Sequence, residues 1–202
     1  MYEILQMLAI GFTIGLTGAL APGPTLVATI NSSLKVGWTA GPKVAAGHAL
    51  VEVFIFLLIV GGLAAAMQQY SRAVSIAGGL ALIIFGIMTV KGSRSATMAA
   101  PQGQAIDNAY LAGVIASVAN PYFWIWWLSI GSALVLSGLG AGLIMAAIFL
   151  IGHWVADFGW LILVSSSLDR GRSILSEMNY RRILGICGGF LVCFGIYFLS
   201  AA

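Results

Sequence analysis

The sequence predicts an all-α integral membrane protein with six transmembrane helices in two inverted three-helix repeats. Three observations lead to this prediction: a very low content of charged residues, six long apolar segments, and motifs that recur in both halves. Of the 202 residues, 60% are hydrophobic and only 7% are charged. Soluble domains carry about 25% charged residues. The chain is therefore expected to have the lipid bilayer as its partner rather than water alone.

Six apolar segments are long enough to cross a bilayer, which requires about 20 residues each. The predicted spans lie near residues 4–31, 43–66, 73–91, 109–136, 141–167 and 182–200. All lysines and arginines except Arg72 fall on one side of this arrangement. Positive residues favour the cytoplasm. The pattern predicts a multi-pass protein of the cell (inner or plasma) membrane with both termini outside, and the scattered basic residues predict no nucleic-acid partner.

The first span contains the stretch ALAPGPT, in which two prolines flank a glycine. Pro22 and Pro24 remove two backbone donors, and this predicts that the carbonyls of Gly18 and Leu20 lose their helical partners. As one helix with a rise of 1.5 Å per residue, the span would be about 42 Å long, which exceeds the ~30 Å thickness of the hydrocarbon layer. We therefore expect the first helix to be broken at APGP.

Such a break would offer both poles of a zwitterion. Free carbonyls from Gly18 to Ala21 would attract an ammonium group. The amides that open the second half-helix, near Thr25 and Leu26, would attract a carboxylate. The break is therefore a predicted binding site for an amino acid or a similar small molecule.

An internal repeat relates the two halves of the chain. GHALVE (47–52) matches GHWVAD (152–157), and GLALIIFGI (79–87) matches GGFLVCFGI (188–196), sharing Phe85 with Phe194. Ala21-Pro22 matches Asn120-Pro121 in the same order. The duplication divides one membrane domain into residues 1–97 and 98–202. Because three spans are an odd number, the second copy would insert upside down, as in many secondary transporters.

The repeated motifs place a histidine and a carboxylate four residues apart in two apolar spans. His48 and Glu52 share one helix face, and so do His153 and Asp157. An ionised carboxylate at the membrane centre costs about 3 kcal/mol or more, so it faces a cavity or a partner. We predict that Glu52 and Asp157 couple transport to protons, with the histidines as partners. The alternative is two locally satisfied polar pairs that hold helices together.

These motifs together resemble the LysE/RhtB amino-acid exporter family. The resemblance rests on APGP in the first span, the GHxxxE run in the second and Asn120-Pro121 in the fourth. It implies a secondary exporter of an amino acid or similar small zwitterionic metabolite, driven by proton antiport. Its partners would be that substrate and protons, and the glycine-rich helix faces make a homodimer possible. The expected substrate-binding positions are Gly18, Pro22, Gly23, Pro24, Thr25, Asn120, Pro121 and Trp124.

The run YFWIWW after Pro121 has two interpretations. Tryptophans concentrate at membrane interfaces, so in the first interpretation the run is an anchor in the headgroup region. Alternatively, Trp124 and Trp127 line the permeation path and form a cation–π surface for an ammonium group.

Two other classes of function are alternatives to an amino-acid exporter. The set His48, Glu52, His153 and Asp157 would also suit a divalent metal ion, which makes a metal-ion exporter the main alternative. An enzyme is not expected, because the chain lacks HExxH and GxSxG motifs and its cysteines, Cys187 and Cys193, lie on different sides of one helix. No cofactor is predicted.

Overall fold

A computed structural model describes residues 2–21, 23–62, 71–95, 108–171 and 176–200. This part of the chain contains nine α-helices and no β-strand. The helices are α1 (Tyr2–Ala19), α2 (Pro24–Val36), α3 (Ala40–Val60), α4 (Ser71–Ser93), α5 (Ala109–Val118), α6 (Pro121–Trp126), α7 (Ser132–Gly140), α8 (Leu143–Gly171) and α9 (Glu177–Ser200). A 3₁₀ turn, Gly37–Thr39, joins α2 to α3, and a π-helical turn, Trp127–Gly131, joins α6 to α7.

The prediction of an all-helical membrane protein is confirmed at this level. Five segments of the described chain are long and apolar enough to cross a membrane: Tyr2–Ala19, Pro24–Val60, Pro121–Gly140, Leu143–Gly171 and Glu177–Tyr197. Two apolar helical stretches are shorter: Leu82–Ser93, which is part of α4, and Ala109–Val118, which is the whole of α5. The count of six spans and their inverted arrangement remain predictions.

The first predicted span is interrupted where the prolines are. Helix α1 ends at Ala19 and α2 begins at Pro24, with Gly23 as an extended N-cap residue (φ −149°, ψ −169°). Proline suits the first turn of a helix because the amide groups of that turn have no hydrogen-bond partner within the helix, so the missing N–H of proline costs nothing there. Pro22 lies outside the described residues.

One detail of the predicted break is wrong. The carbonyl oxygen of Gly18 accepts a hydrogen bond from the amide of Ala21 at 3.2 Å. The end of α1 tightens into a shorter turn, as helix C-termini often do, and this turn satisfies the carbonyl. The Gly18 carbonyl is therefore not left without a hydrogen bond, as the sequence predicted, but already accepts one.

A second interruption lies between α5 and α6. Asn120 is the N-cap of α6, its side-chain oxygen accepts from the amide of Tyr122 at 3.1 Å, and Pro121 opens the helix. The residues that restart the two interrupted helices are therefore Gly23-Pro24 and Asn120-Pro121. The sequence match pairs Ala21-Pro22 with Asn120-Pro121, whereas the proline that begins α2 is Pro24, the second proline of APGP.

Helix pairs α1–α8 and α3–α5 pack at very short range through glycine. A Cβ atom on Gly11 would overlap the carbonyl oxygen of Phe149, and one on Gly113 would overlap that of Val44. Phe149 and Val44 each lie four residues before a histidine of a GH motif. Backbones can approach this closely only where no side chain intervenes.

Helices α4 and α9 form a third close pair, which runs antiparallel. A Cβ on Gly79 would lie 2.9 Å from the oxygen of Gly195, and one on Gly86 would lie 2.7 Å from that of Gly188. The matching side chains of Phe85 and Phe194 lie outside the described residues.

Candidate functional site

The two GH motifs meet in the interior of the protein. His153 Nε2 lies 2.8 Å from Glu52 Oε1 and 3.1 Å from Asp157 Oδ2. His48 Nε2 lies 3.3 Å from Glu52 Oε1 and 4.0 Å from Asp157 Oδ2. Glu52 is fully buried. The spacing of four residues brings each histidine and its acid to one face, and contact between α3 and α8 joins the two pairs into one cluster.

Hydrogen bonding sets the orientation of His48. The hydroxyl of Ser117 donates to the carbonyl of Gly113 at 2.7 Å, so its oxygen is left to accept from His48 Nδ1, which is 2.6 Å away. A serine hydroxyl has one hydrogen. This network therefore assigns the hydrogen of a neutral His48 to Nδ1 and leaves Nε2 directed at the two carboxylates.

His153 has no equivalent support. Its buried Nδ1 has no hydrogen-bond partner among the described residues. Gly15 occupies the facing position on α1, where a Cβ would lie only 2.7 Å from this nitrogen. Gly11 and Gly15 on α1 thus face His153 as Gly113 and Ser117 on α5 face His48. The hydroxyl is present on one side and missing on the other.

Aromatic rings enclose the cluster. Trp126 stacks on His153 with ring centroids 4.7 Å apart, and Trp127 meets His153 edge-on at 5.3 Å. Phe123 meets His48 edge-on at 5.5 Å. The indole nitrogen of Trp127 donates to Glu52 Oε1 at 3.3 Å. These rings restrict access of water and also favour a cationic imidazole through their π faces.

The two helix interruptions open into the same small cavity as the cluster. Gly18, Gly23, Thr25 and Asn120 line it together with the four ionisable side chains. The Asn120 amide nitrogen lies 3.5 Å from the position of a Cβ on Gly23, so the two interruptions adjoin. The buried hydroxyl oxygen of Thr25 has no hydrogen-bond partner within the described residues. One cavity therefore joins two helix N-termini to the histidine–carboxylate cluster.

Comparison with known proteins gives this arrangement a family. Residues 16–202 match the model of the family described as LysE type translocator. The chain belongs to the LysE type translocator family. It is also 25% identical over 192 residues to the "Putative amino acid efflux protein YcgF" of Bacillus subtilis (strain 168), covering 92% of this chain and 91% of that protein. No solved structure gave a significant match.

Membership identifies the chain as a multi-pass membrane translocator and agrees with the expectation that it is not an enzyme. Of the positions predicted to bind substrate in this translocator, Gly18, Gly23, Thr25 and Asn120 line the cavity. Pro24 and Pro121 instead open helices beside it.

The tryptophan assignment needs revision. Trp124 does not line the cavity, and its indole nitrogen donates to the carbonyl of Val118 at 2.9 Å. Trp127, which the sequence interpretation also placed on the permeation path, lines the translocator's cavity together with Trp126, and both are buried. Sequence reasoning missed Trp126 and Ser117. A serine four residues after a close-packing glycine, on the same face of an otherwise apolar helix, was the available signal for Ser117.

The charge of the cluster requires protons or another cation. Two ionised carboxylates and two neutral imidazoles would bury two negative charges in contact with each other, which is strongly unfavourable. One atom each of His48, Glu52 and Asp157 lie within 4.8 Å of one another, close enough for one bound cation to contact all three. Positive charge held among these four groups would offset the two carboxylates.

Proposed function

We propose that this chain exports an amino acid in exchange for protons. The proposal rests on one observation: a buried histidine–carboxylate cluster shares its cavity with two adjoining helix interruptions. The helix N-termini supply a site for a carboxylate, and the cluster supplies a site for positive charge. The relative from Bacillus subtilis, whose printed name describes amino acid efflux, supports the same substrate class.

Exchange follows from competition for the same negative charge. The second carboxylate oxygen of Glu52 is buried and has no hydrogen-bond partner within the described residues. An ammonium group can donate to that oxygen only when protons have not already neutralised the cluster. Substrate and protons then bind alternately, so that each half of the cycle carries one of them across the membrane.

We further propose that the fold is an inverted repeat of six helices, residues 1–97 and 98–202. If each residue is replaced by its equivalent in the other repeat, the contact between Gly11 and Phe149 becomes the contact between Gly113 and Val44, which the structure also contains. The same replacement exchanges the Gly79–Gly195 and Gly86–Gly188 contacts of α4 and α9. These matched contacts support a two-fold axis in the membrane plane, around which alternating access would occur.

We place the protein in the cell membrane with both termini outside. The excess of lysine and arginine on one side of the predicted spans supports this orientation, because such residues remain in the cytoplasm.

The decisive experiment measures proton movement and substrate efflux together. Proteoliposomes would be loaded with labelled leucine, serine, lysine or glutamate, and internal pH would be followed during efflux. Transport of at least one amino acid with opposite proton movement is expected. Glu52→Gln and Asp157→Asn should reduce the coupled flux roughly tenfold or more, because each removes a charge-assisted contact of about 1.5–3 kcal/mol.

Glu3→Gln is the matched control, because Glu3 is an exposed carboxylate in the first turn of α1. Its coupled flux should equal that of the unmodified protein. Unchanged coupling in both Glu52→Gln and Asp157→Asn would reject proton exchange at this cluster, and lack of efflux for every amino acid tested would reject the substrate class.

A divalent metal ion is the second candidate cargo, favoured by the three ligand atoms that lie within 4.8 Å of one another. Imidazole and carboxylate ligands suit zinc or manganese. The same proteoliposomes, loaded with Mn²⁺ or Zn²⁺ instead of amino acids, separate the two cargoes. Metal efflux that requires His48, without amino-acid efflux, would favour the metal.

A further inference from the structure

A second and larger cavity, about 490 Å³, lies beside α2, α4 and α5. Its wall on α2 runs from Pro24 through Ala28 and Asn31 to Lys35. These positions recur every three or four residues and so form one face of the helix. Eleven residues at 1.5 Å each make the face about 16 Å long, so the cavity extends from the interruption to the end of α2.

The inner end of this cavity adjoins the first one. Pro24 and Ala119 line the larger cavity. Their immediate neighbours in the chain, Gly23 and Asn120, line the cavity that holds the histidine–carboxylate cluster. The two helix interruptions therefore lie between the two spaces. A molecule that enters along α2 arrives at the N-termini of α2 and α6.

The lining is mainly apolar, with a few polar side chains and one lysine. Val27, Ile115 and Leu184 contribute branched apolar side chains, and several alanines leave room between them. Lys35 is the one charged side chain among the described residues of the lining. Asn31 uses its side-chain oxygen to accept from the Tyr180 hydroxyl at 2.7 Å, so its remaining polar group is the donating NH₂.

From this chemistry we propose that the larger cavity is the entry vestibule for an amino acid with an uncharged, apolar side chain. The inference deepens the proposed amino-acid export and rests on it. Lys35 attracts the carboxylate, and the apolar wall accommodates the side chain. A cationic side chain such as that of lysine would be repelled by Lys35 and would find no carboxylate among the described lining residues.

The test compares two lysines on the same side of the protein. Lys35 lines the vestibule, whereas Lys43, near the start of α3, does not. In proteoliposomes, Lys35→Gln should raise the KM for leucine about tenfold, because it removes a charged partner of the carboxylate. Lys43→Gln should leave that KM unchanged. Lys35→Arg, which keeps the positive charge, should have a KM close to that of the unmodified protein. Leucine should also be preferred over lysine and glutamate.

The outcomes separate this inference from the proposed function. If leucine efflux still depends on Glu52 but Lys35→Gln leaves its KM unaltered, the vestibule assignment is overturned and proton-coupled export stands. Preference for lysine over leucine would likewise overturn the side-chain class. If no amino acid is exported by the unmodified protein, the proposed function fails before the vestibule is tested.

Discussion

At the scale of single residues, one hydroxyl distinguishes the two histidines. Ser117 accepts from His48 Nδ1, whereas Gly15 leaves His153 Nδ1 without a partner in the described structure. The Ser117 contact consequently favours the His48 tautomer with its hydrogen on Nδ1, whereas His153 contacts the carboxylates through Nε2 and has no described hydrogen bond at Nδ1. We regard Ser117 as a positioning residue that acts through His48.

Replacing Ser117 with alanine should weaken transport while the fold is retained. The change leaves the buried His48 Nδ1–H unsatisfied, at a cost of about 1–3 kcal/mol, and releases the tautomer. We expect roughly tenfold slower proton-coupled efflux and an altered pH profile. Ser132→Ala is the control, because the Ser132 hydroxyl donates to carbonyls of its own helical segment, those of Leu128 and Ser129. Equal pH profiles for the two variants would contradict the role of Ser117.

The histidine itself offers a further test at this scale. His153→Asn should abolish proton-coupled efflux more completely than His48→Asn, because His153 makes the shorter contacts to both carboxylates, 2.8 Å and 3.1 Å. Initial rates at a fixed pH gradient measure the difference. A larger loss in His48→Asn would reverse the proposed roles of the two residues.

At the scale of helices, two asparagines occupy the same local position but different surroundings. Asn108 caps α5 and Asn120 caps α6, each accepting backbone amides with its side-chain oxygen. Only Asn120 also lies beside Gly23 and in the cavity wall. Asn108 is thus a helix cap alone, whereas Asn120 is both a helix cap and part of the cavity wall.

Alanine at the two caps should separate these roles. Both Asn108→Ala and Asn120→Ala should lower the free energy of unfolding by about 1 kcal/mol, the usual value of a helix cap. Only Asn120→Ala should also raise the KM for leucine. Thermal unfolding in detergent and efflux from proteoliposomes measure the two effects. An unchanged KM in Asn120→Ala would exclude the second interruption from substrate binding.

At the scale of the whole molecule, glycine contacts between helices determine how the halves fit. A Cβ on Gly86 would lie 2.7 Å from the carbonyl oxygen of Gly188, a backbone atom that cannot move alone. Gly189, one residue further along α9, has no atom within 4 Å of its Cβ position. The two positions differ in packing but share residue type, helical environment and a place in the α4–α9 pair.

Gly86→Ala should therefore destabilise the protein by about 1–3 kcal/mol through overpacking. Gly189→Ala should be neutral or stabilising by up to about 1 kcal/mol, because alanine favours a helix more than glycine does. Melting temperatures in the same detergent measure both. If Gly86→Ala were as stable as Gly189→Ala, the α4–α9 contact would not contribute to stability.

Local chemistry allowed several features to be predicted from the sequence. Apolar composition requires a membrane protein, proline cannot continue the first helix, and a spacing of four residues places His48 beside Glu52 and His153 beside Asp157. Each of these depends only on neighbours in the chain.

Tertiary structure decided what distant residues supply. The π-helical turn and the packing around it bring Trp126 and Trp127, not Trp124, to the cluster. The sequence WIWW alone does not indicate which of its three indole rings face inward. Likewise Ser117 reaches His48 only because glycine lets α5 approach α3. The sequence by itself determined which groups are able to bind protons, and the close approach of the helices determined which contacts hold them.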